Sequence, residues 1–389
     1  MKFLREPYYK KNIKGQLKRF DERDAGFSRG VTEGNLYASM HNQSIINLRK
    51  EIPRKTILDH SMVVAARTVD YILRKNVLAR EGEAFRNRRY KLKNPNPVAI
   101  TKIMKEIAHW LGVDLVGVTE LNPLWVYSHW GEHNAVYTNA AKPGELIDIP
   151  PKYNRVIVLS IEMDYSVLRQ TPDPEPASAM GYSKMAFCVS SLAIWIRELG
   201  YEAIPCVNEI GLSIPMAVDS GLGEMGRNGL LITREFGPRV RIGKVLTDLP
   251  LVPDSPIDIG VQRFCEKCDR CAKHCPSKAI MFGPRTDKSV DRSNSEGMLK
   301  WPINTMNCLN WWVKNGASCS VCIRVCPWNK LNRPFHRFVR LMVERDVFTR
   351  FFIFMDKLAG YGRQSKDVNY NAFQDPSVIE KDCTHQLEY

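Results

Sequence analysis

The spacing of apolar positions changes along this chain, and the changes divide it. Residues 1–95 are polar and basic except from Thr56 to Arg74, where Ile57, Val63, Val64, Val69 and Ile72 recur at roughly helical spacing. The segment Asn94-Pro-Asn-Pro97 reads as a linker. From Val98 to Leu111, Ile100, Ile103, Met104, Ile107 and Leu111 fall on one helical face, and Gly112 supplies the stop. Val113–Val118 reads as a strand, and Val156–Ile161 (VIVLSI) as a buried one. A second long helix spans Ser183–Leu199 and ends at Gly200, ahead of a short strand around Ala203-Ile204-Pro205. This order predicts the class α/β (α+β), with four parts. They are a basic N-terminal segment packing on the core (1–95), an α/β core (96–255), a cysteine-bearing domain (256–335) and an aromatic tail (336–389).

Composition changes little in this picture. With 389 residues, 44% apolar and 25% charged, the chain can bury a sizeable core in two or three units. No uninterrupted apolar run approaches the roughly 18–20 residues of a membrane span; Phe348–Leu358 is broken by Arg350, Asp356 and Lys357. The start, Met1-Lys-Phe-Leu-Arg-Glu-Pro, lacks the apolar stretch and cleavage site of a signal peptide. The expectation is a cytoplasmic protein, or a mature form whose leader has been removed.

A net charge of +14 raises the question of nucleic acid. Basic residues cluster at Lys10, Lys11, Lys14, Lys18 and Arg19, and at Arg86, Arg88, Arg89, Lys91 and Lys93, but Asp21, Glu22, Asp24, Glu81 and Glu83 lie among them. A solvated basic face, or one for anionic partners, fits this mixture better, and no nucleic acid is expected.

The cysteines say more. Cys265-x2-Cys268-x2-Cys271-x3-Cys275-Pro276 has ferredoxin-type spacing, and Cys308-x10-Cys319-x2-Cys322-x3-Cys326-Pro327 repeats it with its first ligand displaced upstream. In such pairs the fourth cysteine serves the other cluster. One 4Fe–4S cluster is therefore expected on Cys265, Cys268, Cys271 and Cys326, and the other on Cys275, Cys308, Cys319 and Cys322. Zinc would favour paired Cys-x2-Cys units, and disulfides a small secreted domain. Cys188, Cys206 and Cys383 are left as structural residues. The Gly-x-Gly-x-x-Gly at Gly221, Gly223 and Gly226 follows no long strand, so it reads as a tight turn approaching some ligand, not a dinucleotide fingerprint.

Longer stretches resemble the corrinoid-dependent reductive dehalogenases: RFDERDAGFSRG (19–30), GYSKMAF (181–187), RELGYEAIPCVNEIGLSIP (197–215), GLGEMGRNGLLITREFGPRVRIGKVLTDLPLVPD (221–254), both cysteine motifs and MNCLNWW. Epoxyqueuosine reductases are the nearest alternative, sharing the corrinoid and two-cluster plan. The resemblance implies a nitroreductase-like, cobalamin-binding α/β core joined to a ferredoxin-like two-cluster domain. It implies base-off cobalamin, and the sequence lacks the Asp-x-His-x-x-Gly motif that would give cobalt a histidine. Tyr182 matches the family's proposed proton donor, Arg241 its basic partner, and Asn208 a polar residue lining the site.

The partners so implied are a small organohalide, an external low-potential electron donor, a membrane anchor protein at the extracytoplasmic face if the chain is exported, and a second copy in a homo-oligomer. After MDKLAGYG (355–362), where the family often places a tryptophan against the pocket, this chain reads RQSKDVNYNAF with Tyr370 the nearest aromatic, which implies a wider or more polar pocket. Trp110, Trp125, Trp130, Trp311, Trp312 and Phe27 are candidate wall residues. A ferredoxin-type electron carrier without a corrin is the reading from a different class.

Overall fold

A computed structural model describes residues 1–50, 57–80, 91–169 and 175–364. Arg86, Arg88, Arg89, Glu81, Glu83, Tyr370 and Cys383 lie outside the described residues. The N-terminal part holds β1 (Lys2–Phe3), α1 (Gly26–Thr32), α2 (Leu36–Arg49) and α3 (Ile57–Asn76). The core follows as α4 (Pro97–Trp110), β2 (Leu115–Glu120), α5 (Glu132–Thr138), β3 (Arg155–Glu162), α6 (Tyr165–Leu168), α7 (Glu175–Glu198) and β4 (Ala203–Cys206). It continues with α8 (Ser213–Asp219), β5 (Glu224–Met225), β6 (Leu231–Ile232) and β7 (Val240–Thr247). Beyond it come β8 (Ile257–Asp258), α9 (Val261–Lys267), α10 (Arg270–His274), α11 (Thr305–Asn315), α12 (Val321–Arg324), α13 (Pro334–Glu344) and α14 (Thr349–Leu358).

The main sheet has the order β2-β3-β7-β4, and every neighbouring pair is antiparallel. The core is thus α+β, and the alternation of strands and helices does not produce parallel crossovers. Strand periodicity then sorts the side chains. Ile157, Leu159 and Ile161 of β3 join a core with α4 and α7, while Val156 and Val158 join one with α8. Both faces being covered explains why VIVLSI carries no polar alternation. In β7 the same period puts Arg241, Gly243 and Val245 on the α7 side and Lys244 on the α8 side, where its Nζ reaches Ser213.

α4 forms where its pattern predicts. Asn96 caps it by accepting from Val98 and Ala99, and Pro97 occupies the first turn. α7 departs from expectation, beginning at Glu175 instead of Ser183. Its added turns bury small residues, Ala177, Ser178, Ala179 and Gly181, so large apolar residues do not mark them. Tyr182 is consequently well inside a helix. By length and composition α7 could cross a membrane, but here it is the central core helix, packed against α3 and the sheet.

The glycine segment at 221–226 follows α8 and enters the β5–β6 hairpin, so neither the strand before nor the helix after of a dinucleotide site is present. Cys188 and Cys206 are buried structural residues, the former with its Sγ directed at the Leu111 carbonyl (3.3 Å). α13 and α14 lie along the cysteine-bearing domain through Val343, Phe352 and Ile353. Lys267–Asp346 and Lys330–Asp356 ion pairs, at 2.5 and 2.7 Å, fasten them. Of the tail expected to close the substrate pocket (336–389), residues 336–364 are described and lie along the cysteine-bearing domain, and the rest is outside the described part.

Candidate functional site at the junction of core and cysteine domain

Short helices and the turns between them deliver the cysteines. α9 carries Cys265, α10 carries Cys271, and Cys268 lies between them; α11 carries Cys308 and α12 carries Cys322. Cys265, Cys268, Cys271 and Cys326 line one small cavity with Arg227. Cys275, Cys308, Cys319 and Cys322 form a second group in mutual electrostatic contact. The fourth cysteine of each motif therefore lies near the first three of the other.

Burial, then repulsion among neighbouring thiols, pushes Cys271 and Cys308 up to about 12. Crowded thiols such as these two are poor thiolates alone and good ones on a polynuclear cation. Among the described residues no three His, Cys, Asp or Glu side chains converge closely enough for a single metal ion. Four thiols spaced around a gap suit a cluster better than zinc. The first group borders an open cleft of about 650 Å³ lined by Cys268, Lys267, Lys273, Arg285 and Trp301. The second group lies inward, with Cys322 packed in the cluster that contains Met163 and Ala177, at the start of α7.

Two turns along α7 stands Tyr182. The Asn208 amide Nδ2 donates to its hydroxyl at 3.2 Å, and the Arg241 guanidinium lies over its ring at 4.7 Å from the centroid. Gly181 permits this approach, since a Cβ there would stand 3.0 Å from Arg241 Cγ. Arg241 donates from Nη2 to Ser178 Oγ at 2.5 Å, and its buried Nε has no partner. All three residues carried over from the resemblance thus meet in one place.

The sequence reading missed what surrounds them. Arg67 and Arg74 of α3 bring two more guanidiniums to the Tyr182 ring, at 5.6 and 5.8 Å. Arg67 pairs with Glu175 at 2.5 Å, and Arg74 with Asp70 and Glu209 at 3.0 and 3.2 Å. Those two cations are neutralised locally. Arg241 has no carboxylate within ion-pair distance among the described residues, so of these three guanidiniums it alone stands outside an ion pair. The available signal was the spacing of Arg67, Asp70 and Arg74, one helical face that also carries apolar residues.

A run of rings continues from Tyr182. Arg74 also covers Tyr137 at 5.9 Å, and Tyr137, His133, Phe27 and Trp312 follow at centroid spacings of 4.6, 5.3 and 5.9 Å. Burial, with the Arg74 and Arg67 charges, pulls His133 down to about 3, so it is neutral. Of the candidate wall residues, Phe27 and Trp312 belong to this run. Trp110 is 81% exposed on the outer face of α4 and is no wall. Trp125 and Trp130 are core; Trp125 donates its indole N–H to Asp219 at 2.7 Å. Several buried polar atoms on the elements facing this run have no partner: Ser28 Oγ, Tyr37 Oη, His133 Nδ1, Thr305 Oγ1 and Trp311 Nε1. Buried polar atoms left without a partner in native folds usually have a specific reason, such as a ligand or ordered water.

Comparison with known proteins agrees with this geometry. Residues 264–329, which contain all eight cysteines, match the 4Fe-4S double cluster binding domain. The tetrachloroethene reductive dehalogenase of Sulfurospirillum multivorans is 39% identical over 292 residues, covering 69% of this chain and 58% of that protein. That of Dehalobacter restrictus is 36% identical over 284 residues, covering 63% and 50%. The epoxyqueuosine reductase of Lactococcus garvieae matches less, at 30% over 131 residues, 32% of this chain and 34% of that one. Among solved structures, the catabolic reductive dehalogenase NpRdhA superposes with a TM-score of 0.71 over 94% of this chain and 49% of its own, at 20% identity, which shows a shared fold. This chain spans about half the length of the curated relatives it matches. By sequence, the chain is similar to reductive dehalogenases over 63–69% of its own length.

Proposed function

We propose that the chain replaces a carbon–halogen bond by carbon–hydrogen, with Tyr182 as proton donor, Cys265, Cys268, Cys271 and Cys326 holding one 4Fe–4S cluster, and Cys275, Cys308, Cys319 and Cys322 the other. The observation that carries this reading is the meeting of Tyr182, Asn208 and Arg241 beside the inner cysteine group. The sheet clad by α7 and α8 is the part we assign to a nitroreductase-like core. A base-off cobalamin fits the orphaned polar atoms of α1, α2, α5 and α11, whose hydroxyl and N–H groups would meet its amide rim. When bound, it supplies a low-valent cobalt that can deliver two electrons to an organohalide.

The chain's own residues account for the proton and the halide. Two electrons and one proton are consumed, and one halide leaves. A tyrosine, with a reference pKa of about 10, keeps its proton until a strongly basic carbon forms. Asn208 donates to the Tyr182 oxygen and so leaves the phenolic hydrogen free for the substrate. Arg241, permanently charged, stabilises the phenolate left behind. Its unpartnered Nε is an N–H available to the departing halide. Arg67, paired with Glu175, and Arg74, paired with both Asp70 and Glu209, leave Arg241 as the guanidinium free to answer the phenolate. An external low-potential donor would reach the outer cysteine group through the 650 Å³ cleft.

Anaerobic reconstitution of the full chain, followed by iron, sulfide and cobalt analysis, tests the cofactors. Halide release from a chlorinated and brominated panel with reduced viologen tests the reaction. Tyr182→Phe should cost about 10²–10⁴ in turnover. Iron without cobalt would leave a two-cluster electron carrier and end this reading; full turnover by Tyr182→Phe would end the proton-donor assignment.

A further inference from the structure

Arg227 lies in the glycine-rich segment that serves no nucleotide. It is 4% exposed, at the tip of the β5–β6 hairpin, and lines the same cavity as Cys265, Cys268, Cys271 and Cys326. Its guanidinium donates to main-chain carbonyls of the cysteine domain alone. Nε reaches Cys265 and Cys268 (3.3 and 3.1 Å), Nη1 reaches Met281 and Gly283 (3.1 and 2.9 Å), and Nη2 reaches Cys265 (2.8 Å). Trp301 covers it at 4.5 Å and donates its own N–H to Gly283 at 3.0 Å. Among the described residues no carboxylate pairs with it.

We propose that Arg227 is a positioning residue that holds up the reduction potential of the outer cluster; the proposal rests on the cluster reading above. A cluster gains one negative charge on reduction. A cation fixed beside it, buried and unneutralised, favours the reduced form more than an exposed, screened one would. The five hydrogen bonds prevent the guanidinium from turning away, and Trp301 limits screening by water. Arg270 and Lys330 add to the same side, coupled to Cys268 and Cys326 while sharing the one carboxylate of Asp356. At the inner group the coupled cation is Arg324, on Cys319. Asp269 and Asp356 offset two of these charges at the outer group, which leaves Arg227 as its cation outside any ion pair among the described residues.

The test is a redox titration of the reconstituted full chain, followed by electron paramagnetic resonance of both clusters. Arg227→Gln should move one cluster to lower potential, by about tenfold in its reduction equilibrium or about 59 mV for one electron, and leave the other in place. Arg227→Lys, which keeps the charge and loses most of the hydrogen bonds, should stay near the wild-type value. Unmoved potentials in a fully iron-loaded Arg227→Gln would overturn the inference and leave Arg227 a loop fastener. Should Arg227→Gln fail to load iron, Arg227→Lys decides: a retained potential supports the charge, and a fallen one refutes it. A wild-type chain that takes up no iron would instead remove the cluster reading, and this inference with it.

Discussion

Arg227 and Arg241 are both guanidiniums drawn out of bulk water without a carboxylate partner among the described residues, yet they are set up in opposite ways. Arg227 spends its N–H groups on four carbonyls and carries a tryptophan on its face. Arg241 has Ser178 on one nitrogen and a buried Nε with nothing. A cation fastened on all three of its nitrogens can hold a loop and impose a field. An under-satisfied one costs the folded state, because a buried donor without a partner loses its hydration. That cost makes sense where a substrate or halide completes the shell. On the proposed function, the contrast would separate an electron-collecting end of the molecule from a reacting end by hydrogen-bond inventory alone.

The largest expected effect tests whether the reacting end is as neutral as its ion pairs imply. Arg74→Met leaves Asp70 and Glu209 buried without their cation and should destabilise the chain by about 3–5 kcal/mol, read by denaturant unfolding. A loss within 1 kcal/mol would mean that Arg74 is not the cation those carboxylates depend on, and the local charge balance at Tyr182 would have to be redrawn. Next is Arg241→Gln. It should lower turnover by about 10²–10³-fold while iron content and unfolding midpoint stay close to wild type. If it lost iron as well, the distinction between the two arginines would collapse.

A smaller effect concerns pH. Burial raises Glu22, which accepts from Gly131 N–H at 2.9 Å, and Glu224, which accepts from Ile259 and Val261 N–H, to about 7 from an ordinary 4.5. These folded-state values lie above the unfolded ones. The native chain therefore binds more protons across this window, and stability falls as pH rises from about 4.5 to about 7. The slope is up to about 1.4 kcal/mol per pH unit for each group. Glu22→Gln or Glu224→Gln should flatten one such share of the slope; an unchanged slope in both would show that neither is protonated in the fold. Trp110→Ser, on the far surface of α4, should change stability by less than about 0.5 kcal/mol and turnover not at all.

What could be read from the sequence follows the same divide between satisfied and unsatisfied groups. Periodicity and caps found α4 because Asn96, Pro97 and an apolar stripe act within a few residues of one another. VIVLSI announced a strand covered twice, and the cysteine spacing announced two groups with exchanged fourth ligands. Tyr182, Arg241 and Asn208 came from resemblance, since nothing local distinguishes a reactive tyrosine from a packing one. Arg67, Asp70 and Arg74 went unseen because charges on an amphipathic helix ordinarily face water, and only the tertiary approach of α7 buries them. The first turns of α7 went unseen because alanine, serine and glycine give no hydrophobic rhythm. Arg227 was hidden among glycines whose arrangement suggested a different ligand.

The exchange of Cys275 and Cys326 between the two groups has a mechanical side. Neither half of the repeat is closed on itself, and each lends the other its last hook. The two loops are clasped together, so slack in one is passed directly to its neighbour. Injury at the cleft, where the outer group meets solvent, would release Cys326 and then α12, which carries Cys322 inward toward α7. A molecule buckled in this manner has no half-repaired state in which to linger: it should come apart, and go together, in a single motion.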